Sequence, residues 1–481
     1  MRVLFVASEI YPYVKTGGLG DVVGALPPEL IKHNVDVRLL LPAYGEILDS
    51  VEKVTTLKTL SGPLYSKKGA RILACTLADG VKVYLLDIEG YYDRPNPYVD
   101  KAGKDWPDNH LRFAALCYAA AHIADWENDW VPDIIHGHDW HCGLIPAYLR
   151  QVQGPKPATV ATIHNIAYQG IFPRRLMAEL ALPADTYNIN GLEYYGQISF
   201  LKSGLYYSDA ITTVSPQYAK EIQLPEYGCG MQDVLKIRSV ALQGILNGID
   251  PDVWNPSTDP HIAGHYNGRT LKEIRNKAAC RAALLAQCKL NLRSKRMVFG
   301  VVSRLVEQKG LDVLLDAMQV ILQQGAGLAV LGAGDAELEE GFTRLAKEWP
   351  SQVFVFHGYD ETLAHRIIAG VDCIIVPSRF EPCGLVQLYG LRYGTLPLVR
   401  RTGGLADTVI DNKDKSASTG FVFDNLTVPE LAYTMQRAIN TYNDKTQWAK
   451  LQKNAMAQNF GWSRAAGEYK VLYKSLTKSR T

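Results

Sequence analysis

The chain has no apolar run near the ~18 residues a membrane-crossing helix needs, so the sequence predicts a protein that does not enter a membrane. It has almost no excess of charge. Fifty-one Lys and Arg stand against 49 Asp and Glu, which leaves no bulk electrostatic attraction to nucleic acid or to an anionic lipid surface. Eight cysteines are scattered with no C-x-x-C and no His/Cys grouping of zinc spacing. That excludes a disulfide framework and reads as reduced, mostly buried thiols. No low-complexity segment interrupts the chain. The N-terminus enters a strand directly, with one arginine and no secretory cleavage pattern, so a cytoplasmic protein is expected. Neither glycine-rich loop has the G-x-G-x-x-G of a dinucleotide fold or the spacing of a P-loop.

What remains is a long, ordinary globular composition. At 481 residues the chain suits two domains of roughly 200 residues each. The first half alternates strands (Val3–Ser8, Asp36–Leu41, Asp133–His136, Ala158–Ile163, Ala210–Val214) with helical stretches at Asp21–Lys32 and Asn109–Trp126. Residues Arg71–Leu77 and Val81–Asp87, joined across Asp79-Gly80, are expected to form a hairpin inserted in the sheet. The rhythm resets near Leu242–Asp250, where the boundary is placed. A clean βα repeat follows, with strands at Met297–Ser303, Leu328–Leu331, Val353–Phe356, Asp372–Val376 and Leu396–Val399. Such a repeat predicts a parallel sheet covered on both faces, with ligands beyond the carboxyl ends of its strands.

The most informative stretch is Lys15-Thr16-Gly17-Gly18-Leu19-Gly20-Asp21, between an apolar strand and a helical pattern. Strand, glycine-rich turn and helix aim backbone N–H groups and a helix dipole at an anion, and Lys15 adds a full charge. An echo, Arg401-Thr402-Gly403-Gly404-Leu405-Ala406-Asp407, follows the apolar run Leu396–Val399. Two such loops in two halves suggest one anion gripped between two domains.

Other polar residues also fall at strand ends. Arg304 and Lys309, in Ser303-Arg304-Leu305-Val306-Glu307-Gln308-Lys309-Gly310, form a basic pair suited to a diphosphate and its departure. Glu381, between Phe380 and Pro382, could receive sugar hydroxyls or balance a developing cation; the competing reading is a capping acid for a helix from Leu385. Cys383 has no histidine beside it and reads as a packed thiol. His136, His138 and His141 cross a strand end rather than share a helix face, so they are not read as metal ligands. Asp139 among them is the better acid/base or hydroxyl-binding group. His164-Asn165 ends a strand and can bond a sugar, and Tyr98 and Tyr359 sit on loops suited to stacking.

Together these motifs resemble, essentially end to end, the bacterial glycogen synthase and plant starch synthase family. The resemblance rests on Lys15–Asp21, His138–His141, Thr162–Asn165, Asn247–Asp250, Ser303–Leu305 with Gln308–Gly310, Glu381–Leu385 and Arg401–Leu405. It implies an α/β protein of GT-B type. Two Rossmann-like doubly wound domains would face a deep cleft, and a C-terminal helix would cross back to the N-terminal domain. The expected domains are 1–244 with about 460–481 on the acceptor side, and 245–459 on the nucleotide-sugar donor side. The implied reaction moves glucose from ADP-glucose to the non-reducing end of an α-1,4-glucan with retention, without cofactor or metal.

By the same resemblance, Lys15, Arg304 and Lys309 match phosphate-binding positions, with Asp21 in the first loop's motif. Gly18, Gly384, Leu385 and Thr402 line the donor site beside Cys383, and Tyr359 stacks on adenine. His164, Asn247 and Glu381 match glucose contacts, with Asn165 adjoining. Asp139 lies beside the reacting sugar and Tyr98 near the acceptor. The wider pattern of retaining transferases has a second Glu eight residues after the first; here Tyr389 stands there, as in this family. A UDP-glucose enzyme with another acceptor, a non-catalytic glucan-binding scaffold and a nicotinamide dehydrogenase are the alternatives. The last is disfavoured by the loop spacing.

Overall fold

Val3, Leu4, Phe5 and Val6 are fully buried, because the first strand lies in the middle of a sheet with both faces covered. The computed structural model describes residues 1–65, 69–127, 129–292, 296–412 and 416–478. The chain divides into two compact units, Met1–Gly248 with Trp462–Thr481, and Ile249–Gly461.

The first unit holds β1 (Arg2–Val6), β2 (Asp36–Pro42), β3 (Thr55–Leu60), β4 (Ala70–Thr76), β5 (Lys82–Asp87), β6 (Ile134–His138), β7 (Ala158–Ile163), β8 (Ile171–Pro173), β9 (Glu193–Tyr194), β10 (Gln197–Ser199), β11 (Ala210–Thr213) and β12 (Leu242–Gly244). Nine of these form one sheet, ordered β12-β11-β7-β6-β1-β2-β5-β4-β3. Pairing is parallel from β12 to β5, and β4 and β3 add an antiparallel edge. The expected hairpin is therefore β4–β5, whose turn hydrogen bond runs from the Leu77 amide to the Val81 carbonyl. β8, β9 and β10 make a small separate sheet that the sequence reading did not anticipate.

Of the boundaries that differ from expectation, three lie close to the polar motifs of the first unit. The helix expected from Asp21 begins at Gly18, so the glycine-rich turn is its first turn. The strand expected to end at His136 continues to His138, because His136 and His138 both find partners inside the unit. The helix from Asn109 ends at Ala121 and gives way to a 3₁₀ turn, Ile123–Asp125.

The C-terminal helix Trp462–Lys478 belongs to the first unit; the last three residues expected in it lie outside the described residues. Its Trp462, Ala465, Ala466, Tyr469 and Tyr473 enter the same core as Phe5 and Leu26. The Tyr473 hydroxyl lies 2.7 Å from His136 Nδ1.

The second unit is a six-stranded, all-parallel sheet of β13 (Val298–Val302), β14 (Gly327–Gly332), β15 (Val353–His357), β16 (Cys373–Val376), β17 (Leu396–Arg400) and β18 (Phe421–Phe423). Its order is β15-β14-β13-β16-β17-β18. Both sheets are doubly wound. Strand order reverses between β1 and β6 in the first unit and between β13 and β16 in the second, and ligands of such sheets lie beyond the strand ends at these switch points.

Candidate active site

In the second unit the switch point holds a charged pair. Arg304 follows β13 and is exposed, with no ion-pair partner among the described residues. Lys309 closes the short 3₁₀ turn Glu307–Lys309 ahead of the helix Leu311–Gln323. Its Nζ donates to Glu381 Oε2 at 2.6 Å, and the Ser378 hydroxyl donates to the same oxygen at 2.9 Å. Both partners come from strand ends that flank the reversal, so the sheet itself sets the distance. Glu381 Oε1 takes no protein donor among the described residues. The helix after it runs Val386–Arg392 with Leu385 at its N-cap. The carboxylate therefore does not cap that helix, and the competing reading fails.

The second glycine-rich loop lies against this segment. The Gly404 amide donates to the Glu381 carbonyl at 3.1 Å. Gly403 has φ +44°, and a Cβ there would sit 1.9 Å from the Glu381 carbonyl oxygen. A Cβ on Gly404 would lie 2.1 Å from the Cys383 carbonyl oxygen. These glycines are demanded by the chain's own packing. Thr402 is buried at the N-cap of Gly403–Thr408. Cys383 is buried, and Leu385 is half-buried beside Gly384, whose φ is +70°. Tyr359, 73% exposed, stands on the loop after β15.

The first unit's loop is built differently. A Cβ on Gly17 or Gly18 would meet nothing within 4 Å, and neither has positive φ. No described residue requires glycine there, and the backbone is open to close approach from outside. The amides of Gly18 and Leu19 have no partner among the described residues. Two amides of the loop are taken by a carboxylate of the chain itself: Thr16 and Gly17 donate to Glu9 Oε2 at 2.7 and 3.2 Å. Lys15 Nζ lies 2.7 Å from Asp21 Oδ1. Glu9 was missed in the sequence reading. Its one signal there is position, a carboxylate three residues past a buried strand.

Along β6 and just past β7 the histidines form a packed chain. His136 Nε2 lies 2.5 Å from the Thr162 hydroxyl, and His138 Nδ1 lies 3.0 Å from His164 Nε2. Rings 136 and 138 stack at 4.2 Å. Burial holds His136 and His164 down to about 3, and His138 and His141 well below the usual imidazole range. Among the described residues no group of three or more His, Cys, Asp or Glu is arranged to hold a metal.

Asp139 takes φ +57° at the end of β6 and accepts the His164 amide at 2.7 Å. Burial pushes its carboxyl up to about 7, against the pull of the His164 and Asn165 amides and with help from the Glu9 charge. Near neutrality that carboxyl is divided between its two forms. Tyr98 is brought to the same place, stacked on His141 at 4.6 Å with its hydroxyl 2.6 Å from Glu9 Oε1. Asn165 Oδ1 accepts the Ala167 amide, closing a local turn. Asn247 is buried, its amide bonded to the Val214 carbonyl beside β11.

Known proteins resemble the chain throughout. A family model described as the starch synthase catalytic domain matches residues 2–237, and one described as glycosyl transferases group 1 matches 286–455. A glycogen synthase of Francisella tularensis subsp. tularensis is 46% identical, covering 99% of this chain and 99% of its own. Another, from Francisella philomiragia subsp. philomiragia, is 46% identical and covers 99% of this chain and 100% of its own. The catalytic domain of starch synthase IV from Arabidopsis thaliana, solved bound to ADP and acarbose, matches with TM-score 0.88 at 30% identity over 99% of each chain. A sucrose-phosphate synthase from Thermosynechococcus elongatus, at 17% identity and TM-score 0.62 over 99% of each chain, shares the fold. With charged residues at both switch points and likeness along the whole chain, the protein belongs to the glycogen synthase and starch synthase family of GT-B glycosyltransferases.

Proposed function

We propose that the protein is a cytoplasmic glycogen synthase, transferring glucose from ADP-glucose to the non-reducing 4-hydroxyl of an α-1,4-glucan with retention. The observation that carries this is the Lys309–Glu381 pair at the second unit's switch point, with Arg304, which has no ion-pair partner among the described residues, just past β13. A glucosyl donor with a diphosphate leaving group needs positive charge where the β-phosphate oxygen gains electrons and negative charge near the oxocarbenium-like sugar. Arg304 and Lys309 supply the first, and Glu381 supplies the second through its open Oε1. On this reading the second unit, with Leu385, Thr402, Gly384 and Tyr359, takes the nucleotide sugar. The first unit takes the glucan at Tyr98, and its Lys15 and Gly18 amide are suited to a phosphate.

In the proposed step the C1–O bond to ADP breaks and the acceptor O4–C1 bond forms on the same face. The acceptor's proton passes to the departing phosphate oxygen. This order needs no protein nucleophile, in keeping with Tyr389 where other retaining transferases have a second Glu. Asp139 and His164 position the transferring glucose through hydrogen bonds.

The test is glucose transfer onto glycogen from ADP-glucose and from UDP-glucose side by side, each with and without EDTA. Transfer from ADP-glucose alone, unchanged by EDTA, is expected. Transfer only from UDP-glucose moves the protein to a sister specificity. No transfer by a folded sample that still binds glycogen marks it as a scaffold.

A further inference from the structure

Glu9, a buried carboxylate of the first unit, has no part in the reaction scheme. It is 4% exposed and follows β1 by three residues. Four donors converge on it. Oε2 accepts the Thr16 and Gly17 amides at 2.7 and 3.2 Å, and Oε1 accepts the Thr16 and Tyr98 hydroxyls at 2.6 Å each. The Tyr98 hydroxyl also lies 2.7 Å from Ser8 Oγ.

These donors belong to separate parts of the site. Thr16 and Gly17 lead into Gly18 and the N-terminus of the helix Gly18–Lys32, whose next amides have no partner among the described residues. Tyr98 lies 89 positions along the chain from Glu9 and stacks on His141. One carboxylate thus joins the proposed phosphate loop to the proposed acceptor platform. No other side chain of the first unit donates to or accepts from both, among the described residues.

We propose that Glu9 is a positioning residue that latches the Lys15–Gly18 loop and Tyr98 into one working arrangement, touching neither substrate. The inference rests on the transferase reading above. A charged acceptor suits the place: the two amides are fixed donors, and charge-assisted bonds of this kind are roughly twice as strong as neutral ones. Glutamine can keep the geometry. Its oxygen takes the amides, and its NH₂ faces two hydroxyls that can rotate to accept. Alanine keeps nothing.

The experiment therefore compares Glu9→Gln with Glu9→Ala. Wild type, assayed with ADP-glucose and glycogen, tests the function itself, and its failure is separate from that of the latch. Hydrogen exchange of the Thr16 and Gly17 amides reads the latch without any turnover. The expected result is fast exchange in Glu9→Ala and near-native protection in Glu9→Gln. In the same pair, kcat/KM for both donor and glycogen should fall about 100-fold in Glu9→Ala and less than about 10-fold in Glu9→Gln. Unchanged exchange in Glu9→Ala overturns the proposal. So does a Glu9→Ala enzyme with native kcat/KM and only a lowered melting temperature.

Discussion

Lys309 Nζ and Glu381 Oε2 lie 2.6 Å apart, 72 positions distant in the chain, with the Ser378 hydroxyl on the same carboxylate oxygen. Two strand ends flanking a reversal of strand order bring them together, so the pair is a property of the sheet. Each member fixes the other. Glu381→Ala should lower kcat on the order of 10²–10³-fold, the usual loss when a preorganised electrostatic group is removed. It should also cost about 1–3 kcal/mol, less than a fully buried pair because Lys309 keeps some solvent access. Lys309→Ala should raise KM for ADP-glucose and lower kcat together. Initial rates over a donor series, with urea melts of each variant, check both.

The two glycine-rich loops look alike in sequence and differ in what they need. Gly403 and Gly404 are pressed against the Glu381 and Cys383 carbonyls, whereas Gly17 and Gly18 face open space. Gly404→Ala should therefore lower the melting temperature markedly, since the obstacle is backbone and cannot move aside. Gly18→Ala should leave the melting temperature unchanged or slightly raised, alanine being the better helix former by up to about 1 kcal/mol, while weakening ADP binding about tenfold or more. Paired melting and ADP titration calorimetry test the contrast. A Gly18→Ala protein with native ADP affinity would remove that loop from the phosphate site.

Much of the site could be read before folding because its residues break local patterns. Glu381, Arg304 and Asp139 are charges set just past apolar strand runs, and a parallel sheet puts that position at its ligand edge. Lys15 and Gly18 stand where a strand hands over to a helix. What could not be read depends on pairings far apart in the chain. Glu9 has no local feature that ties it to Tyr98, and the order β7-β6-β1-β2 that creates the switch point appears in no short window. The histidines show the same limit. Their sequence spacing argues against a metal but is silent on what His136 does, which is to bond Tyr473 of the C-terminal helix. The echo of the glycine loops carries the same limit: similar residue types stand in different surroundings.

Asp139 links the site's chemistry to stability with a definite sign. Its carboxyl titrates near 7 in the folded chain against an ordinary 3.8. Between those values the native state keeps a proton that the unfolded chain has lost, so this group's contribution falls as pH rises through the window and is flat above it. Asp139→Asn removes the penalty and can still accept the His164 amide. At pH 8 the variant should be more stable than wild type by up to about 4 kcal/mol, and at pH 4 no more stable, while glucosyl transfer drops severely. Melting curves at the two pH values decide it; equal shifts at both would mean that Asp139 is ionised throughout.

The two units should part company in acid. In the first, burial holds His136 and His164 down to about 3, and His138 and His141 well below the ordinary imidazole value. Below the ordinary imidazole value of 6.5 the unfolded chain gains protons that the folded unit refuses. Each such histidine then costs about 1.4 kcal/mol per pH unit. Four together outweigh the opposing effect of Asp139 by pH 5. In the second unit, burial works against His365, but the Asp259 carboxylate, 2.7 Å from its Nδ1, and Glu361 prevail and raise it above its ordinary value. That contribution is fully present below 6.5 and is lost as pH rises through the raised value. Calorimetry should show the Met1–Gly248 unit melting earlier as pH falls from 7 to 5, with the second unit's transition held. His365→Gln should abolish that protection in acid and leave the first unit's loss untouched. If both transitions fall together in wild type, the buried histidines of the first unit are not what limits acid stability.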